Sequence, residues 1–310
     1  MERNNYTIIL FYKFTDIKNP EKFKLKQRKL AELFKLKGRM LIAKEGVNAT
    51  FEGTAKDIKG YMKAFKQQEA FKDVVFKQSD GTGTGFTKLK VKVRPEVVTL
   101  GVGELNIKKN TALMITAEQL DKMYEEAASP SGEASLAPSG RDFVVLDLRN
   151  DFEVQAGYFE NTVNPKLRNF RDLPGKLKEL EYLKDPSASS GQVRKIVAVC
   201  TGGIRCEKAT VLLKQKGFKN IYQLKDGIHT YIKKFPGKRF KGSLFVFDNR
   251  MVTSVVDTKE REVVGKCFYC ATKCEEFYND DSVRPSKKVI CCESCMLKYK
   301  KKLRRCIPIV

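Results

Sequence analysis

The sequence predicts a multidomain protein that combines α+β with α/β architecture. Three observations predict it. Strand-like and helix-like runs alternate through the first hundred residues in the order β-α-β-β-α-β. Two mainly apolar runs, Phe143 to Leu148 and Ile196 to Val199, are built like the buried strands of a parallel sheet. Seven of the nine cysteines fall after residue 266. The predicted divisions are 1–100, 112–236 and a basic, Cys-rich C-terminal region, 237–310.

Tyr6 to Phe14 reads as a strand, and 20–36 is helical in period through Phe23, Leu30, Leu33 and Phe34. Gly38 opens a strand over Arg39 to Ala43, which turns at Glu45-Gly46 into Asn48 to Glu52. Thr54 and Asp57 suit a helix start, with Ile58, Tyr61, Met62 and Phe65 on its apolar face. Val74 to Phe76 completes the set as a strand. This order is the ferredoxin-like split βαβ unit, a fold that often offers an open sheet face to RNA. After the Gly/Thr loop Asp80 to Gly85, Phe86 to Val98 reads as extended, basic and leading out of the domain.

The second region starts near Leu113. Thr116 caps a helix with Glu118 and Asp121 in its first turns and Leu120, Met123 and Tyr124 on its inner face. Ser129 to Gly140, rich in Ser, Pro and Gly, is predicted as a flexible insert. Then come the strands Phe143 to Leu148 and Ile196 to Val199, a helix over Glu207 to Lys216 closed by Gly217, and a strand over Ile221 to Leu224. A further helix follows Asp226-Gly227. Strands alternating with helices make a parallel α/β domain, and Cys200 falls at the carboxyl end of one strand, where such folds bind ligands. In the third region Phe245 to Phe247 is a candidate strand.

Of the 310 residues 42% are hydrophobic and 31% charged, the balance of a soluble globular protein. No apolar run approaches the roughly 18 residues of a membrane span, so no membrane partner is expected. The first residues carry no small-residue cleavage site, and nine cysteines without an export signal point to reduced thiols in the cytoplasm. The net charge is +23. Residues 1–100 hold 22 basic and 11 acidic residues, 101–235 hold 21 and 17, and 236–310 hold 17 and 9. Two basic flanks gripping a polyanion around a central site would produce that distribution; a lysine-rich proteome would raise it everywhere. Candidate phosphate contacts are Arg39 and Lys44 on the first hairpin, Lys90, Lys92 and Arg94 after it, and the basic run from Lys298 to Arg305. Each group taken alone also suits a solvated face.

The candidate catalytic residues are Cys200 and Arg205, joined by the loop Thr201, Gly202, Gly203 and Ile204. A nucleophilic cysteine needs its thiolate stabilised. A strand-to-helix turn supplies inward N–H groups and a positive helix end, the glycines permit the tight turn, and Arg205 adds a fixed positive charge toward an anionic substrate. The same cradle would hold a persulfide. Cys206 reads as a resolving thiol or as a residue packed on the helix. Asp147 and Arg149, ending the neighbouring strand, either shape the pocket or form a plain salt bridge between loops. In the tail, Cys267-x2-Cys270 and Cys292-x2-Cys295 have the spacing of one four-thiolate zinc site, with free thiols as the other reading. Cys274 and Cys291 are possible substitutes as ligands.

The strings LDLRNDFE from Leu146 and CTGGIRCEKA from Cys200 resemble a rhodanese domain. Together with IAKEGVNAT from Ile42, LKVKVR from Leu89, NFRDLP from Asn169 and YQLKDGI from Tyr222, they resemble the bacterial tRNA wobble-uridine hydroxylases over roughly residues 6–300. The resemblance implies a rhodanese-like central domain with a six-residue loop of sulfurtransferase type. It also implies oxygen-dependent conversion of the wobble uridine of tRNA to 5-hydroxyuridine. Where that family's tail carries further cysteines this chain has Asn279 to Lys288, which leaves the zinc ligand set open. Molecular oxygen would be a co-substrate. No dinucleotide fingerprint is present to hold an organic cofactor, and the single histidine, His229, excludes a two-His iron site within the chain. His229 reads as structural. The alternative function is a sulfurtransferase carrying a Cys200 persulfide, and a third is a non-catalytic RNA-binding adaptor. The short loop argues against a phosphatase. No protein partner is indicated.

Overall fold

A computed structural model describes residues 6–127, 143–185, 194–254 and 262–306. The predicted insert Ser129 to Gly140 lies outside the described residues. The chain forms two compact units, one of residues up to Thr99 with Phe247–Arg250, the other of Leu100–Val246 with Met251–Cys306.

In the first unit the elements are β1 Tyr6–Phe14, α1 Pro20–Leu33, β2 Lys37–Ala43, β3 Gly46–Thr54, α2 Ala55–Lys66, β4 Lys77–Asp80 and β5 Leu89–Val93. The sheet order is β4-β1-β3-β2-β5, so the ferredoxin-like unit is present. Asn19 caps α1 by accepting the Lys22 N–H, and Thr54 caps α2 by accepting that of Asp57. The alternate strand positions Ile9, Phe11, Met40, Ala49 and Phe51 are fully or almost fully buried. They meet Tyr61 and Phe65 of α2, with Phe11 and Phe65 ring centroids 5.0 Å apart.

Two expectations here are corrected. The fourth strand is Lys77–Asp80 and not Val74 to Phe76: the chain makes a helical turn at Glu69–Phe71, and Val74 closes on Phe71 O instead of pairing with β1. The segment expected to lead out of the domain folds back. Leu89–Val93 pairs in parallel with β2, because Val91, with Leu89 and Val93 beside it, extends the apolar face of the sheet. Arg250 returns to this unit and donates to Asp80 O at 2.7 Å.

The second unit begins with α3 Ile107–Asn110, β6 Leu113–Ile115 and α4 Ala117–Ala127. It continues with β7 Phe143–Asp147, α5 Asp151–Val154, β8 Gly157–Phe159, β9 Thr162–Val163 and α6 Leu173–Lys176. Then come β10 Lys195–Val199, α7 Ile204–Gln215, β11 Ile221–Leu224 and α8 Gly227–Lys234. The sheet runs β6-β11-β10-β7-β9, every pairing parallel. β7 is buried along its whole length and β10 from Ile196 on, as strands covered on both faces must be. The helix after Cys200 starts at Ile204, three residues earlier than expected, because Gly203 takes a left-handed φ of 100° and turns the chain at once. Arg205 and Cys206 therefore belong to the first turn of α7.

The same unit holds β12 Phe240–Gly242, β13 Leu244–Phe245, β14 Val252–Thr253, β15 Phe277–Asp280, β16 Lys287–Ile290, α9 Glu293–Lys298 and β17 Leu303–Arg305. The candidate strand at Phe245 is real but shorter than expected, ending at Phe245 where it pairs with Val252. The rings of Phe152 (α5), Phe245 and Phe277 follow one another at 5.1 Å and 5.0 Å, so the tail packs against the short helix after β7. Among the described residues no helix is long and apolar enough to cross a membrane.

Candidate functional site

β10 delivers Cys200 to the end of the sheet, and the loop wraps back over its sulfur. Gly203 N–H donates to Cys200 Sγ at 3.1 Å. The loop's outer side is held by α8: Ile228 N–H donates to Cys200 O and His229 N–H to Thr201 O, both at 3.0 Å. This close approach requires Gly227. At its φ of 71°, a Cβ would sit 2.7 Å from Cys200 O and from Gly203 N.

Cys200 is completely buried, which pushes its thiol up, but the Cys206 thiol, the Arg205 charge and the N–H groups of Arg205 and Gly203 outweigh burial and bring it down to about 6. A thiol lowered in this way favours the thiolate form. Burial raises the Cys206 thiol well above its ordinary value, and the neighbouring Cys200 adds to that.

Arg205 does not point a spare charge at a ligand. Its Nη1 and Nη2 donate to the two carboxylate oxygens of Glu153 at 2.7 Å each. Glu153 is fully buried and also accepts the Thr201 hydroxyl at 3.4 Å and the Asn150 N–H at 2.9 Å. It caps its own helix and clamps the loop. No role was expected for it. The signal was Asn150-x-x-Glu153, a capping box directly after a buried strand.

Asp147 and Arg149 form a fully buried ion pair at 2.6 Å. Arg149 also donates to Gly157 O at 2.7 Å, and its guanidinium lies over the Phe240 ring at 5.6 Å. Through these contacts Arg149 ties the end of β7 to β8 and β12. Asp147 acts on the site through its charge, which is felt by Arg205 and Cys206.

The basic candidates of the first unit gather on adjacent strands. Arg39 is in register with Lys90, and Leu41 with Lys92, while Arg94 N–H donates to Ile42 O at 2.8 Å. They repel one another. Burial and then Arg94 lower the Arg39 guanidinium, and Lys90 is lowered by its surroundings and by Lys88, Lys92 and Arg39. Lys44 stands in the turn at the far end of β2.

In the tail, one sulfur each from Cys267, Cys270, Cys292 and Cys295 lies within 4.8 Å of the others. Backbone N–H groups of Cys292, Cys270 and Tyr269 turn toward Cys267 and, against burial, hold its thiol at about 6. Cys292 precedes α9 and Cys295 sits in it. These four residues could hold a metal ion. Four thiolates about 2.3 Å from a tetrahedral ion stand about 3.8 Å apart, so the cluster fits. Cys274 and Cys291 stay outside it, their thiols pushed up to about 12, first by burial and then by Cys267.

A five-stranded parallel sheet with a short cysteine loop at its carboxyl edge defines a rhodanese-like domain, which in this chain follows an acylphosphatase-like one. Residues 6–97 match the family described as UPF0176 acylphosphatase like domain, 123–234 the Rhodanese-like domain and 241–307 the Rhodanase C-terminal family. A protein of Onion yellows phytoplasma (strain OY-M) named tRNA uridine(34) hydroxylase is 35% identical over 300 residues, 96% of this chain and 90% of that one. Proteins of the same name from Bacillus cereus (strain B4264) and Bacillus licheniformis are 35% and 36% identical over 97% and 98% of this chain, and 88% of each relative is covered. The chain belongs to the tRNA uridine(34) hydroxylase family.

Proposed function

We propose that the protein hydroxylates the wobble uridine of tRNA at C5, working in the cytoplasm as a monooxygenase-type oxidoreductase with dioxygen as co-substrate. The observation that carries the chemical part is the buried Cys200 thiolate inside its N–H cradle. Addition of that thiolate to uracil C6 moves electron density to C5, where an oxygen atom is delivered. Loss of the C5 proton and of the thiolate restores the C5–C6 double bond. The second oxygen atom leaves as water with two electrons from a reductant. Arg205, held by Glu153, supports the anionic sulfur before attack and after release.

Arg39, Lys44, Lys90, Lys92 and Arg94 serve the RNA in this reading, the repulsion among Arg39, Arg94, Lys90 and Lys92 being relieved by phosphates. Cys267, Cys270, Cys292 and Cys295 hold a structural zinc ion, which supplies a cross-link in the tail and no step of the chemistry.

The test is nucleoside mass spectrometry of tRNA incubated with the purified protein. Cys200→Ser should abolish 5-hydroxyuridine formation; a variant that still hydroxylates would overturn the role of Cys200. The cradle also suits a persulfide. Unchanged 5-hydroxyuridine in cells lacking the protein, with thiosulfate:cyanide sulfur transfer by the protein, would favour sulfur carriage instead.

A further inference from the structure

Of the 20 phenylalanines in the chain, all within the described residues, Phe268 alone is exposed, at 56%. It stands in the turn between Cys267 and Cys270. Cys267 N–H donates to Thr272 O at 2.8 Å and Ala271 N–H to Cys267 O at 2.9 Å, which closes that turn. Phe268 N–H donates to Ile290 O at 2.8 Å and so ties the turn to the end of β16. The places on either side are taken. Cys267 is buried in the thiol cluster, and Tyr269 stacks on Tyr299 with ring centroids 4.2 Å apart. Phe268 meets Tyr269 only edge to face, at 5.2 Å, and the rest of its ring is left to solvent.

Scattered exposed apolar residues are ordinary, but this ring is set among positive charges. The Lys287 ammonium lies 4.9 Å from the ring centroid, and Lys287 is itself exposed. Two residues before Phe268, Lys266 stands opposite Lys273 in an antiparallel bridge, and both are exposed. Like charges in that position repel, and an anion beside them relieves the repulsion. Residues 262–306 hold 11 Lys and Arg against 6 Asp and Glu. An apolar protein surface laid over the ring would desolvate these cations at a cost. A nucleic acid instead offers a flat base for the ring and phosphates for the ammonium groups.

We propose that Phe268 is a stacking platform for an unpaired base of the tRNA, with Lys266, Lys273 and Lys287 meeting the phosphates beside it. The inference rests on the reading of tRNA as the substrate and adds to it a contact made through a base. Every base has a π-face, so the contact tolerates any sequence. It favours single-stranded over paired RNA, because only unstacked bases can be splayed onto a side chain.

The chain contains no tryptophan, so Phe268→Trp places a lone indole at the site. Its fluorescence is followed in the full chain on addition of an unmodified tRNA transcript, and separately of long-chain polyphosphate, which carries phosphates without bases. The tRNA should quench the emission and polyphosphate should not. Phe268→Ala and Phe268→Leu should each weaken tRNA binding at least about fivefold and leave the melting temperature unchanged, since the ring is exposed. Lys287→Gln should reduce the salt dependence of binding by a slope of roughly 0.7. Equal quenching by polyphosphate, or a leucine variant that binds tRNA as tightly as the unaltered protein, would overturn the proposal. So would emission that changes with protein concentration alone, which would show the ring covered by a second copy. An indole left unquenched by tRNA that does bind overturns this inference alone, whereas an unaltered protein that binds no tRNA overturns the functional reading with it.

Discussion

The Glu153 carboxylate accepts both terminal nitrogens of Arg205 and the N–H of Asn150 while fully buried. Glu153→Gln keeps the shape and removes the charge. An uncompensated buried guanidinium then costs about 3–5 kcal/mol, which urea unfolding should register. The sulfur responds in the other direction: with one negative charge gone, Cys200 ionises at still lower pH, so its alkylation profile should move down while stability falls. The sign for the unaltered protein follows from a thiol depressed to about 6. The thiolate's contribution to stability is full above the unfolded value, roughly 8.5, and is lost as pH falls through about 6. Cys200 was legible because a cysteine before two glycines and an arginine at a strand end has one economical physical explanation. Glu153 was legible only as the capping-box partner of Asn150; the string does not show that the same carboxylate also meets an arginine 52 residues later.

At the scale of elements, the site depends on α8 as much as on α7. Gly227 leaves room for α8 to bond the outer side of the loop, and a methyl group there would strike Cys200 O, Gly202 C and Gly203 N at 2.7 Å. Gly227→Ala should therefore widen the loop and raise the Cys200 thiol. Cys200-dependent hydroxylation should fall at least about tenfold, as a displacement near 1 Å can cost that or more, and circular dichroism should still report the fold. Several strands were readable from their periods: Tyr6–Phe14 and Ile221–Leu224 match the expected limits, whereas β5 was read as leading out of the domain and β6 and β9 were not expected. β4 and the start of α7 were not readable either. Val74 and Phe76 are as apolar as strand residues, and only the turn at Glu69–Phe71 assigns them to core packing instead. The start of α7 depended on the left-handed Gly203, a backbone choice the two glycines permit without announcing which of them takes it.

For the whole molecule, the tail matters to the site through the ring series Phe152, Phe245 and Phe277, since Phe152 adjoins Glu153. Metal analysis of the purified protein should find about one zinc per chain, lower in Cys270→Ala, and removal by a strong chelator should reduce the melting temperature. Unchanged stoichiometry in that variant would sink the ligand assignment. The charge of +23 also bears on how copies of the chain behave toward one another. β5 is the outermost strand of its sheet, with the sequence LKVKV. Without Lys90 and Lys92 it would read as a continuous apolar ribbon, a template for annealing to a second copy. The two ammonium groups make such an encounter electrostatically costly, so neutralising them, by acetylation or substitution, would turn a solute into a nucleus for aggregation.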